Sequence, residues 1–167
     1  MAEKLILDAC CGGRMFWFDK NHPNAIYCDN RREEKHLPHC GKTLNVNPDI
    51  LADFKHLPFP DKTFRLVVFD PPHLLANHLG GASELAFCYG RLFEDWGTEL
   101  RAGFDECWRV LKGEGVLIFK WSARDISLKK LLEAIGREPL FGNRSGKNTH
   151  WLCFMKDVTA DELGDAV

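Results

Sequence analysis

Residues 65–73 read RLVVFDPPH, an apolar run that ends on a carboxylate and is then stopped by two prolines. Proline cannot continue a central ladder, so residues 65–70 are predicted to form a buried strand whose exit from the sheet is held rigid. The Asp70 carboxylate and the Pro71 carbonyl can both accept hydrogen bonds from one amino group, and the ring of His73 can stack on a flat substrate. Acceptors alone around an amine aim its lone pair at an electrophile.

The same pattern of an apolar run closed by an acid recurs on either side. Residues 5–8 run into Asp8 and then Cys-Cys-Gly-Gly, residues 25–29 end on Asp29, and residues 48–54 carry Asp53 near their end. Further along, Trp96, Leu100, Phe104, Cys107, Trp108 and Leu111 repeat at three and four, which predicts a helix over 94–111 ending at Lys112-Gly113. GVLIFKW (115–121) is a fifth strand, and Ser127 is placed to cap a helix over 128–135 that stops at Gly136. Residues 139–142 and 149–156 are predicted to be a last pair of strands joined by a basic, Gly-containing loop. A short stretch at 15–19 has room for barely two turns of helix. Strands separated by crossovers and ending in polar residues predict an α/β fold, a parallel sheet with helices on both faces.

In such a sheet the ligand lies beyond the carboxyl ends of the strands, near the point where strand order reverses. That places Asp8, Asp29, Asp53 and Asp70 around one site. Cys11, Gly12 and Gly13 form a tight turn where backbone can approach a ligand. The turn lacks the G-x-G-x-x-G of dinucleotide binders, so nicotinamide chemistry has weak support. Asp29 stands where an acid can bind both hydroxyls of a ribose. GNRSGKNT (142–149) is not a phosphate loop, because the spacing is wrong and it precedes a strand. His36, His39 and Cys40, even with Cys28, fit no zinc framework, and no metal is expected.

DACCGG (8–13) and DPPH (70–73) resemble the cofactor loop and the catalytic motif of amino-group methyltransferases. With PDILADFKHLPFPDKTFRLVVFDPPH (48–73) and ECWRVLKGEGVLIFKW (106–121), the chain resembles class I S-adenosylmethionine-dependent methyltransferases over residues 5–156. It is most similar to the small single-domain methyltransferases of bacteria and their phages. The resemblance implies a Rossmann-like sheet of seven mostly parallel strands with the last strand antiparallel, and S-adenosylmethionine as cofactor. It implies that Asp8, Cys10, Cys11 and Gly12 lie along the methionine part, that Asp29 holds the ribose, and that Asp53 and Phe54 meet the adenine. Asp70, Pro71, Pro72 and His73 would form the catalytic motif, with Asp70 also bordering the cofactor. The sequence departs from the family at Cys10 and Arg14, which replace two loop glycines, and at His73, which replaces a larger aromatic residue.

The chain has 167 residues, 45% hydrophobic and 28% charged, enough for one domain. That leaves residues 1–156 as a methyltransferase domain and 157–167 as an acidic tail, with no separate recognition domain. A net charge of −2 hides an uneven distribution: residues 101–156 hold eleven Lys or Arg against six acids. Nucleic acid would have to meet a local patch, for which Arg144, Lys147 and His150 are the candidates, or a second subunit of a homodimer. Residues 74–97, with Gly80-Gly81 as hinge, are a candidate lid. No run approaches the ~20 apolar residues of a membrane span. Seven irregularly placed cysteines without a secretion signal predict reduced thiols in a cytoplasm. The expected reaction is methyl transfer to an amino nitrogen of a nucleobase in DNA or RNA. A small-molecule acceptor and a non-catalytic cofactor binder are the other two readings.

Overall fold

Seven strands lie side by side in the order β5-β2-β1-β6-β7-β9-β8. They are β1 (Ile6–Asp8), β2 (Ala25–Asp29), β5 (Ile50–Leu51), β6 (Phe64–Phe69), β7 (Leu111–Ser122), β8 (Phe141–Ser145) and β9 (Thr149–Met155). The computed structural model describes residues 4–38, 41–78 and 88–157. The Gly80-Gly81 hinge, His39, Cys40 and most of the acidic tail lie outside the described residues.

The chain starts in the middle of the sheet at β1, steps outward through β2 to β5, and then returns to β6 on the other side of β1. Leu7 therefore sits opposite both Ile26 and Val67, in parallel register with each. The reversal of strand order falls between β1 and β6, so Asp8, Asp29 and Asp70 emerge at one end of the sheet. β9 runs antiparallel to β7, from Val116 opposite Met155 to Ser122 opposite Thr149. The seven-stranded, mostly parallel α/β sheet with its last strand antiparallel stands as the sequence implies.

One face is covered by α1 (Trp96–Val110) and α2 (Leu128–Ile135). Leu100, Phe104, Cys107 and Val110 line one stripe of α1 and are buried against Leu7, Val67, Phe69, Leu117 and Phe119. Emptying such a site, as in Phe104→Ala, costs about 3–5 kcal/mol. Ser127 caps α2 by accepting from the Lys130 amide at 3.4 Å, and Gly136 closes it with φ 67°. Gly103 sits where α1 crosses the sheet. A Cβ there would stand 2.4 Å from the Phe54 ring and 2.9 Å from that of Phe69.

The opposite face near β1 and β2 is covered, among the described residues, by turns. The stretch at 15–19 forms no helix, because residues 10–24 are spent on tight turns and on packing Trp17 against Tyr27, rings 5.0 Å apart. The polar stretch after β2 forms an antiparallel hairpin of β3 (Glu33–Leu37) and β4 (Lys42–Val46). Leu37, Leu44 and Val46 are its buried side, packed with Cys88. The expected third strand shrinks to Ile50–Leu51, since an edge strand has only one neighbour to pair with.

Candidate active site

A cavity of about 390 Å³ opens beyond the carboxyl ends of β1, β2 and β6. Cys10, Cys11, Gly12, Asp29, Phe54, Asp70 and Pro72 border it, together with Phe16 and Tyr89. The turn after β1 is latched to the end of β2: the Gly12 amide donates to Asp29 Oδ2 at 2.9 Å. Gly12 adopts φ 49°, a left-handed conformation that costs a residue with a side chain about 1–2 kcal/mol. Asp29 Oδ1 accepts from the Arg31 amide at 3.0 Å and from Arg31 Nε at 3.2 Å. Three of its roughly four acceptor sites are thus taken, and one on Oδ2 is left for a ligand hydroxyl.

The four strand-end acids do not share one environment. Asp8 is fully buried behind the turn and does not border the cavity. Trp17 Nε1 donates to its Oδ2 at 2.7 Å, while Oδ1 has no hydrogen-bond partner among the described residues. Burial, with the charge of Asp70 adding to it, raises the Asp8 carboxyl to about 7. Asp53 also stands outside the cavity, where it accepts from the Lys55 amide at 2.9 Å. Its neighbour Phe54 does reach the cavity, its ring set edge-on to Phe69 at 5.3 Å. The Cys10 and Cys11 thiols are pushed up by burial and stay protonated, so they act as packing surface rather than nucleophiles.

Asp70 is held by a residue that the sequence analysis did not single out. Lys120, on the neighbouring strand β7, donates to Asp70 Oδ2 at 2.5 Å. Its ammonium lies 5.6 Å from the Phe16 ring centre and 5.8 Å from that of Trp151, and those two rings meet edge-on at 5.6 Å. The cation is therefore lodged between two π faces. Burial raises the Asp70 carboxyl and the Lys120 charge pulls it back down. The only hint in the sequence was a charged residue inside the otherwise apolar GVLIFKW.

Beyond Asp70 lies a second cavity of about 260 Å³, bordered by Asp70, His73, Tyr89, Lys120, Ser122, Arg124 and Thr149. Asp70 and Tyr89 belong to both cavities. Pro71 is buried in the turn, and the His73 ring points into the second cavity, 5.1 Å from the Tyr89 ring. Burial and the Lys120 charge lower His73 to about 4, so its ring is neutral near pH 7. Of the late hairpin, Thr149 borders this cavity. Arg144 Nε donates to the Lys147 carbonyl at 3.0 Å, and Arg144, Lys147 and His150 border neither of these two cavities. Among the described residues no cluster of three His, Cys, Asp or Glu is placed to hold a metal ion. No helix among them is long and apolar enough to cross a membrane.

No family model and no curated protein sequence matches the chain. Solved structures do match. The PH0226 protein of Pyrococcus horikoshii shares 15% identity at a TM-score of 0.55, over 91% of this chain and 81% of its own. A Leishmania major protein described as a SAM-dependent methyltransferase of the DUF858 family shares 18% identity at a TM-score of 0.50. That match covers 93% of this chain and 67% of the other. At such identity the likeness establishes the fold alone, a Rossmann-like α/β sheet.

Proposed function

We propose that this chain transfers the methyl group of S-adenosylmethionine to an amino nitrogen of a planar heteroaromatic acceptor, most plainly a nucleobase in DNA or RNA. Residues 1–156 would form the whole catalytic domain. The observation that carries the proposal is Asp70, which forms the shared wall of two cavities at the strand reversal. Its fold neighbour from Leishmania major is described as a SAM-dependent methyltransferase, which supports the choice of cofactor.

The larger cavity suits that cofactor in size and in chemistry. It lies within the ~300–1,000 Å³ typical of small-molecule sites. Asp29 keeps one acceptor site for a ribose hydroxyl, Phe54 offers an aromatic face for the adenine, and the Gly12 turn brings backbone to the methionine part. Asp8 and Asp53 act indirectly, the first by bracing Trp17 under the turn, the second by fixing the entry to Phe54.

The bound cofactor supplies a methyl group on a sulfonium, which leaves as a neutral thioether. The acceptor amine would sit in the smaller cavity against Asp70, whose Oδ1 is not used by Lys120. Accepting an N–H there would turn the nitrogen lone pair toward the larger cavity, where the cofactor would present its methyl group. Methylation makes the nitrogen acidic, and its proton passes to Asp70 or to water. His73, lowered to about 4, serves as a neutral aromatic and polar wall. The six free cysteines among the described residues are in keeping with a reducing, cytoplasmic setting.

Methyl transfer from labelled cofactor to nucleic-acid and metabolite fractions, with Asp70→Ala as control, tests this directly. Label should enter one fraction with the wild type and none with the variant, while calorimetry shows both proteins binding cofactor. Equal labelling by the variant would remove Asp70 from the chemistry. Label confined to small metabolites would transfer the proposal to a small-molecule acceptor.

A further inference from the structure

The smaller cavity contains more than an amine site. Asp70 is matched by Lys120 and His73 is uncharged near neutrality, so the inner part of its wall is electrically balanced. Arg124, half exposed, also borders this cavity. Asp125 Oδ1 lies 3.8 Å from Arg124 Nε in a long ion pair, while Asp125 Oδ2 accepts from the Leu75 amide at 2.9 Å. Beside the guanidinium are two hydroxyls. Ser122 and Thr149 face each other in the last register pair of the β7–β9 ladder, so their side chains leave the same side of the sheet. The Ala123 amide donates to the Asn148 carbonyl at 2.9 Å, which ties this strand end to the turn that carries Arg144 and Lys147.

A half-exposed guanidinium held only by a long ion pair, with two hydroxyls on the same cavity wall, is a donor set for an oxyanion. We infer that Arg124, Ser122 and Thr149 form a phosphate subsite, and that the acceptor is a nucleotide whose base amine lies at Asp70 and whose phosphate lies at Arg124. This rests on the methyl-transfer reading for the position of the base, but the subsite itself is defined without it. A free nucleotide and a nucleic-acid strand present the same phosphate and differ only in what continues beyond it.

Inorganic phosphate is the first probe, titrated at constant ionic strength and neutral pH and followed by calorimetry and by the His73 ring-proton NMR signal. Binding should shift that signal, because an anion near Arg124 changes the field at the adjacent imidazole. Arg124→Met should weaken phosphate binding by about tenfold or more, and Ser122→Ala with Thr149→Val should weaken it as well, all with unchanged melting temperature. An unmoved His73 signal in the wild type, or wild-type affinity in Arg124→Met, overturns the inference. Nucleoside, nucleoside monophosphate and short single-stranded oligonucleotide are then compared as methyl acceptors. Arg124→Met should raise KM for the phosphate-bearing acceptors with kcat held, and leave the nucleoside unaffected. Activity on the monophosphate points to a free nucleotide, and activity on the oligonucleotide alone points to a strand. An equal KM change for the nucleoside counts against the subsite. Phosphate binding without methylation of any acceptor would sink the proposed function and leave the subsite standing.

Discussion

Gly103→Ala is the substitution in which packing and ligand binding are most directly opposed. On helix propensity alone the change in α1 should stabilise by about 1 kcal/mol. The new Cβ, however, would stand 2.4 and 2.7 Å from two atoms of the Phe54 ring and 2.9 Å from Phe69. Ordinary carbon contacts are ~3.5–4.0 Å, so one ring must give way by about 1 Å. Phe69 cannot, being fully buried with Phe119 5.0 Å behind it. Phe54 can, because it is only partly buried and borders the larger cavity. Its movement is into the space assigned to the cofactor. Overpacking typically costs about 1–3 kcal/mol. The propensity gain offsets part of this, and the net loss in a urea melt should be about 1 kcal/mol. Cofactor affinity by calorimetry should fall by about tenfold, since ~1.4 kcal/mol of displaced ring is one decade. Combining Gly103→Ala with Phe54→Leu should shrink the binding penalty of the first change, a coupling that independent sites would not show. A Gly103→Ala protein that is more stable than wild type and binds cofactor equally well would refute the chain of contacts from α1 to the cavity.

Other perturbations address the acids separately. Asp8 is raised from 3.8 to about 7 on folding, so the native state holds the proton more tightly than the unfolded chain. The stability this contributes is present below pH 4 and is lost as pH rises toward 7, by a few kcal/mol at most on the order implied by linkage. Asp8→Asn keeps an acceptor for Trp17 and should melt higher than wild type at pH 8 but alike at pH 4. A parallel pair of melting curves across that window would exclude the buried charge. Lys120→Met removes the cation that holds Asp70 down, so Asp70 should stay protonated to higher pH and the acid limb of the kcat profile should move upward. Lys120→Arg should restore it, and an unmoved limb in Lys120→Met would leave the pair structural. Asp29→Ala frees the Gly12 amide and should weaken cofactor binding by about tenfold or more while also lowering the melting temperature. Unchanged affinity would mean that Asp29 serves only as the latch.

The elements most legible in the sequence were those whose local pattern and tertiary packing agree. β6 is apolar apart from Arg65, and it ends at Phe69, one residue short of the expected Asp70, just before Pro71-Pro72. α2 carries both of its caps, Ser127 and Gly136, within ten residues of sequence. The β3–β4 hairpin was harder to see because Glu33, Lys35, Lys42 and Asn45 dilute the alternation of Leu37, Leu44 and Val46. That small core also needs Cys88, a residue more than forty positions away. The stretch at 15–19 reads as helical by composition but is held in turns by Trp17, whose indole answers the buried carboxylate of Asp8.

By itself the sequence determined that strands would end in carboxylates at one edge of a doubly wound sheet, and that DPPH would stand at the carboxyl end of its central strand. Those features are local: alternation, proline and glycine act on the residues beside them. Which carboxylates border the cavity was decided only by tertiary structure. Asp29 and Asp70 border the cavity, Asp8 is buried behind it, and Asp53 lies outside it, although all four look alike in sequence. The same holds for Lys120, fifty residues from Asp70 along the chain and bonded to it. Strand adjacency and burial, which join distant residues and remove water from around them, set the charge and the partner of each acid.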